Sequence, residues 1–229
     1  MRKIMFNDKY SLTQAVLDGR KTMTRRIIKP QPQDCSSRHK DYIGASWKNE
    51  PMHLIMDENN YAFCKYCGYG VDYYKDKGLF NALYKVGEVV AIAQSYESLG
   101  MNPEIALNDR DRIGFYTKTK FAPGWKNKMF VRADLMPHHI RITNIKIERL
   151  QDISDEDCLR EGVELNTRQY EYDGTKKYCV CGLGHWRAIG CTDFDTPREA
   201  FAALIDKVSG KGTWESNPYV FVYEFELID

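Results

Sequence analysis

Residues 138–150 read HHIRITNIKIERL, and the phase of their apolar side chains decides the fold. Ile140 and Ile142 stand two apart, as do Ile145 and Ile147, while the step between the pairs is three. Side chains of a strand alternate between its faces, so each pair marks a buried face and the odd step predicts a bulge at Thr143-Asn144. A second strand ends the chain: in YVFVYEFEL, residues 219–227, Tyr219, Phe221, Tyr223, Phe225 and Leu227 alternate with Val220, Val222 and two glutamates. A third is expected where Gly87 opens EVVAIAQSY, an apolar and β-branched run that reads as a buried strand.

The helices between them are short. Ser11 precedes an apolar face of Leu12, Ala15 and Val16, and Gly19 suits the left-handed position at the end. Ser154-Asp155-Glu156-Asp157 starts another that Gly162 ends, and Thr196-Pro197-Arg198-Glu199 starts a third with Phe201, Leu204, Ile205 and Val208 on one face. Strands separated by short helices, without a regular βαβ repeat, predict an α+β fold with a mostly antiparallel sheet or small β-barrel. The 229 residues read as a single domain, 1–229, with cysteine-bearing insertions at 35–85 and 164–195.

Lys and Arg number 33 against 32 Asp and Glu, a net charge of +1 that excludes a protein coating polyanions indiscriminately. Positive charge is nevertheless concentrated in GRKTMTRR, residues 19–26. The sequence has no run of 18 apolar residues and no signal-like stretch at its start, so a cytoplasmic protein without membrane contact is expected.

The basic run, Lys-Pro-Gln-Pro after it, the Gly-Glu strand opening, LQDISDED followed by Glu-Gly, and Trp-x-x-Asn-Pro before the last strand together resemble the ASCH family, in particular its longer phage and prophage members. The matching blocks, roughly 1–32, 86–96, 136–163 and 196–227, cover a little under half the chain. The resemblance implies a PUA-like small β-barrel with flanking helices, whose cleft holds RNA or a nucleotide. It also implies an activity seen in small bacterial members, removal of the acetyl group from N4-acetylcytidine by a lysine, a threonine and a glutamate. Those roles fall on Lys21, Thr24 and Glu161.

The residues themselves are compatible with that chemistry. Lys21 and Thr24 stand three apart beyond a helix end, where a turn brings alcohol and amine together. Crowding by Arg20, Arg25 and Arg26 disfavours the charged lysine and releases free amine. Glu161 lies beside Gly162 at a helix C-terminus, where the dipole disfavours negative charge, as suits a general acid. Where longer family members carry Arg-Glu-Thr-Trp, this chain has Ala93-Gln94-Ser95-Tyr96, with Gln94 left to hydrogen-bond a base edge. Arg141 on the HHIRITNIKIERL strand is a further candidate for a phosphate.

Cys64-Lys65-Tyr66-Cys67-Gly68 has the spacing of a zinc knuckle, and Cys179 and Cys181 would complete four thiolates for a structural zinc. No organic cofactor is expected. The functions that follow are a module binding RNA or a modified nucleoside through Arg20, Lys21, Thr24, Arg25, Arg26, Gln94 and Arg141; an amidohydrolase built on Lys21, Thr24 and Glu161; and a phage-associated module that binds a protein through its cysteine loops.

Overall fold

The computed structural model describes residues 1–29, 31, 54–56, 62–64, 82–100, 123–167, 171–172, 174–183 and 192–229. In chain order the main elements are β1 (Arg2–Ile4), α1 (Leu12–Leu17), β2 (Met23–Ile27), β3 (Leu54–Met56), β4 (Ala62–Cys64), β5 (Val89–Ile92), β6 (His139–Arg149), α2 (Asp155–Arg160), β7 (Glu164–Leu165), β8 (Tyr178–Cys179), α3 (Pro197–Ser209), α4 (Thr213–Ser216) and β9 (Tyr219–Leu227).

Strand β6 is the stretch that alternates in the sequence, and it pairs antiparallel with β9 from Ile140 opposite Leu227 to Arg149 opposite Tyr219. The register shifts between Ile142 and Asn144, at the odd step. That shift keeps Ile140, Ile142 and Ile145 all buried, because a strand without the extra residue would turn Ile145 to the opposite face. The five-stranded sheet runs β1-β5-β6-β9-β2, with β1 and β5 parallel and the other neighbours antiparallel. The fold is therefore α+β with a mostly antiparallel sheet. Among the described residues no strand pairing joins β1 to β2, although Arg26 Nη2 on β2 donates to the Met5 carbonyl just past β1 at 2.6 Å.

Packing on both faces explains the apolar continuity of β5. Val90 and Ile92 enter the main core with the β6 and β9 side chains, while Ala91 and Ala93 point into a smaller cluster with Tyr96, Val131 and Met136. Strand β9 lies between β6 and β2 and is buried from Tyr219 through Tyr223. Helix α3 closes the main core with Ala200, Phe201, Leu204 and Ile205, each of the larger ones worth roughly 1.5–3 kcal/mol of burial. Its start is the expected capping box, Thr196 accepting from the Glu199 amide and Glu199 from the Thr196 amide. The N-terminus of α2 is capped by Ser154, also as expected.

Two local expectations change. Ser11 precedes α1, yet its hydroxyl donates to Cys181 Sγ at 3.2 Å and makes no cap bond. The stretch from Lys21 to Thr24 is not a turn throughout: Thr24 already lies in β2, which takes up the second half of the basic run and pairs with β9 from Met23 opposite Glu224 to Ile27 opposite Val220. The described part of the 164–195 segment is tied to the main body, with Val180 and Leu183 in the main core. Of the 35–85 segment, β3, β4 and residues 82–85 are described. Among the described residues no helix is long and apolar enough to cross a membrane.

Candidate functional site

Lys21 reaches the interior because Gly19, at φ +72°, turns the chain out of α1 and lets the Lys21 amide donate to the Ala15 carbonyl at 2.9 Å. The residue is 2% exposed. Its Nζ donates to Glu161 Oε2 at 2.6 Å, to the Glu161 carbonyl at 2.8 Å and to the Met23 carbonyl at 2.7 Å, so every proton of the ammonium has an acceptor. Glu161 caps the C-terminus of α2, and Gly162 follows at φ +103°. A Cβ on Gly162 would lie 3.0 Å from Leu12 Cδ2 and 3.7 Å from Lys21 Cδ, so the absent side chain is what lets the helix end sit against the lysine.

Arg25 on β2 has no exposed side-chain surface. Its Nη1 donates to Glu161 Oε1 at 3.1 Å, its Nε and Nη2 to Glu148 Oε1 at 2.9 and 2.6 Å, and its Nη2 to Asp157 Oδ2 at 2.9 Å. Lys146, partly exposed, meets Glu148 at 3.1 Å and Asp157 at 3.5 Å. The planar guanidinium fork suits this arrangement, since it offers fixed donors in several directions at once.

Burial lowers the pKa of Lys21; Glu161 opposes that, and Arg26 and Arg25 add to it. The direction expected from the sequence therefore stands, but removal from water is the larger cause and the arginines the smaller one. Arg20 takes no part: it is a surface residue paired with Asp18 at 2.9 Å and with Glu164. Burial raises the Asp157 carboxyl, but Arg25 and Lys146 outweigh it and hold the group below the usual carboxylate range.

Lys21, Thr24, Arg25 and Glu161 form the buried floor of a cavity of about 340 Å³. Phe6, Leu12 and the Phe201, Leu204, Ile205 and Val208 face of α3 wall it, and half-buried Arg26 and exposed Lys29 stand at its mouth. The Thr24 hydroxyl has no hydrogen-bond partner among the described residues, and Arg26 and Lys29 have no carboxylate partner there. An apolar cleft with convergent polar groups at one end is the form of a small-molecule site.

Of the residues singled out from the sequence, Lys21, Thr24, Arg25, Arg26 and Glu161 come together and three do not. Arg20 is on the surface, Arg141 is exposed and paired with Glu226 at 3.0 Å, and Gln94 lies beyond β5, its backbone N–H donating to Met136 Sδ at 3.4 Å. Gln94 Oε1 is buried and has no hydrogen-bond partner among the described residues. Arg25 is not a free phosphate contact, because carboxylates already occupy its fork. Sequence reasoning missed Glu148 and Asp157; the one reads as a polar position in a strand and the other as a first-turn acid of α2. Phe201, Leu204, Ile205 and Val208, expected on one face of the helix, wall the cavity.

The zinc set falls largely outside the description: Cys67 and the Cys64 side chain are not described, Cys179 is buried, and exposed Cys181 accepts from Ser11. Among the described residues no group of three or more His, Cys, Asp or Glu converges on a metal position. No family model, curated protein or solved structure matches the chain.

Proposed function

We propose that this chain is an amidohydrolase of the ASCH type, acting on N4-acetylcytidine or a closely related N-acylated nucleoside. The observation that carries the reading is that Lys21, Thr24 and Glu161, far apart in sequence in the case of the glutamate, line one cavity with Lys21 Nζ 2.6 Å from the carboxylate. On this reading the five-stranded sheet is the described part of a small PUA-like barrel, and the apolar walls hold the base.

The lowered pKa of Lys21 increases the fraction of neutral amine, which is the competent base. That amine takes a proton from water as the water oxygen bonds to the acyl carbon. The Thr24 hydroxyl, without a hydrogen-bond partner among the described residues, donates to the acyl oxygen as negative charge develops there. Glu161 relays the proton from Lys21 to the amide nitrogen, the C–N bond breaks with its electron pair going to nitrogen, and acetate and cytidine leave. Orientation of Lys21 comes from Glu161 and the Met23 carbonyl rather than from Thr24.

A second reading, binding of a nucleotide or RNA without turnover, is favoured by Arg26 and Lys29, the two cations at the mouth without carboxylate partners among the described residues. Release of cytidine from N4-acetylcytidine by the purified protein separates the two. The amidohydrolase reading expects release that falls by roughly 100-fold or more in both Lys21→Ala and Glu161→Gln. No release from a folded protein that still binds the nucleoside would contradict it and leave the binding module.

A further inference from the structure

Arg25 lies against the Lys21–Glu161 pair, and the charge around it is balanced in an unusual order. Two carboxylates, Glu148 and Asp157, take its Nε and Nη2 hydrogen bonds, so Glu161 is not needed to neutralise it. What remains for Glu161 is a single bond from Nη1 to Oε1, which leaves Oε2 for Lys21. A buried lysine and glutamate without such a third group are free to reorient on each other; here the two carboxylate oxygens are assigned to different cations. The Phe201 ring centre lies 5.9 Å from the guanidinium carbon and the Phe6 ring centre 5.9 Å from Lys21 Nζ.

We propose that Arg25, clamped by Glu148 and Asp157, is a positioning residue that fixes the Glu161 carboxylate and thereby sets the charge state of Lys21. The catalytic meaning of that coupling rests on the amidohydrolase reading; the coupling itself does not. The charged groups concerned come from every packed element. Lys21 faces Glu161 at the end of α2 and Arg25 and Arg26 on β2. The clamp faces Lys146 on β6 and Arg160 on α2, the latter 3.4 Å from Asp157. Helices α1 and α3 present Leu12, Phe201, Leu204, Ile205 and Val208 to the cavity and no charge.

The signs follow from Coulomb's law. Neutralising Glu148 leaves the guanidinium less compensated, so its field falls more fully on Lys21 and drives off the proton at lower pH. Removing Lys146 takes away a competitor for the clamp carboxylates and shifts Lys21 the other way. The test is a carbon NMR titration of the Lys21 Cε methylene in the wild type, Glu148→Gln and Lys146→Met, with thermal melting to establish that each is folded, and the pH profile of N4-acetylcytidine hydrolysis measured alongside.

The expected result is a Lys21 midpoint lowered by about half a unit or more in Glu148→Gln and raised by a smaller amount in Lys146→Met. The rising limb of kcat moves in the same two directions while KM changes less than about twofold. Folded variants whose Lys21 midpoint does not move would overturn the proposal and make the clamp purely structural. Lys146 is partly exposed, so its variant carries the test even where Glu148→Gln fails to fold. Absence of turnover in the wild type would defeat the amidohydrolase reading, and the titration would still decide the clamp.

Discussion

At position 161 a single carboxylate serves two cations, and the two ways of breaking that arrangement are not equivalent. Glu161→Gln strands the Lys21 ammonium among carbonyls and a neutral amide, at a cost of about 3–5 kcal/mol, whereas Lys21→Met leaves Glu161 still bonded to Arg25 and costs less. Their pH dependence also differs. The folded-state pKa of Lys21 is already below 10.5, so between that value and 10.5 the unfolded chain binds more protons and stability rises with pH. Because Glu161 raises the lysine pKa, its loss lowers that pKa further and extends this window downward, so the Glu161→Gln deficit should shrink as pH rises. Denaturant unfolding over a series of pH values below 10.5 checks this; a deficit constant with pH would contradict it. Gly162→Ala is expected to cost about 1–3 kcal/mol in the same measurement, because it combines a positive φ with a methyl pressed on Leu12 and the lysine stem. Lys21, Thr24 and Glu161 came from the family resemblance, and the structure places all three on one cavity. Their burial was not legible, since a run of cations and alcohols ordinarily lies in water.

Elements with a local code were the readable ones. The odd step in the isoleucine pattern located the bulge of β6, and Thr196 with Glu199 located the start of α3, because each depends on residues within a few positions of one another. Strand β2 was unreadable for the opposite reason. What makes Arg25 a core residue is Glu148 and Asp157, 123 and 132 positions away, and nothing in GRKTMTRR announces them. The turn from α3 into α4 supplies a test of the local code. Asp206 accepts from the Trp214 and Gly212 amides at 2.8 and 3.0 Å. The Trp214 bond is the largest cause of its lowered pKa, with burial opposing. A carboxylate depressed below 3.8 on folding gives stability that is complete above that value and is lost as pH falls through the folded one. Asp206→Asn should therefore flatten the acid limb of the stability curve. An unchanged acid limb would show that the turn is held by other contacts.

At the scale of the whole molecule, the near-neutral total is mirrored inside: Lys21, Arg25 and Lys146 are met by Glu161, Glu148 and Asp157. The sequence excluded a general polyanion coat on its total charge, and the structure adds that the most buried cations face carboxylates of the same chain. The sheet class and its antiparallel character were legible from alternation, but the parallel β1–β5 pair was not, because pairing partners leave no mark on either strand alone. Nor did the 164–195 segment disclose its attachment: Gly182, at φ +80°, passes so close to Lys9 that a Cβ would run into its backbone carbonyl. The sheet, the end of α2 and the α3 face thus assemble a cavity from segments spread over the chain, with a lysine–glutamate pair at its floor.

The central claim is that this pair hydrolyses an N-acyl bond, and the most direct measurement is mass spectrometry of the products of N4-acetylcytidine incubated with the purified protein in heavy-oxygen water. The account predicts unlabelled cytidine together with acetate carrying one solvent oxygen, and neither product above background with Lys21→Ala. Intact substrate after incubation with the folded protein, or an acetyl group retained on Lys21, would contradict it.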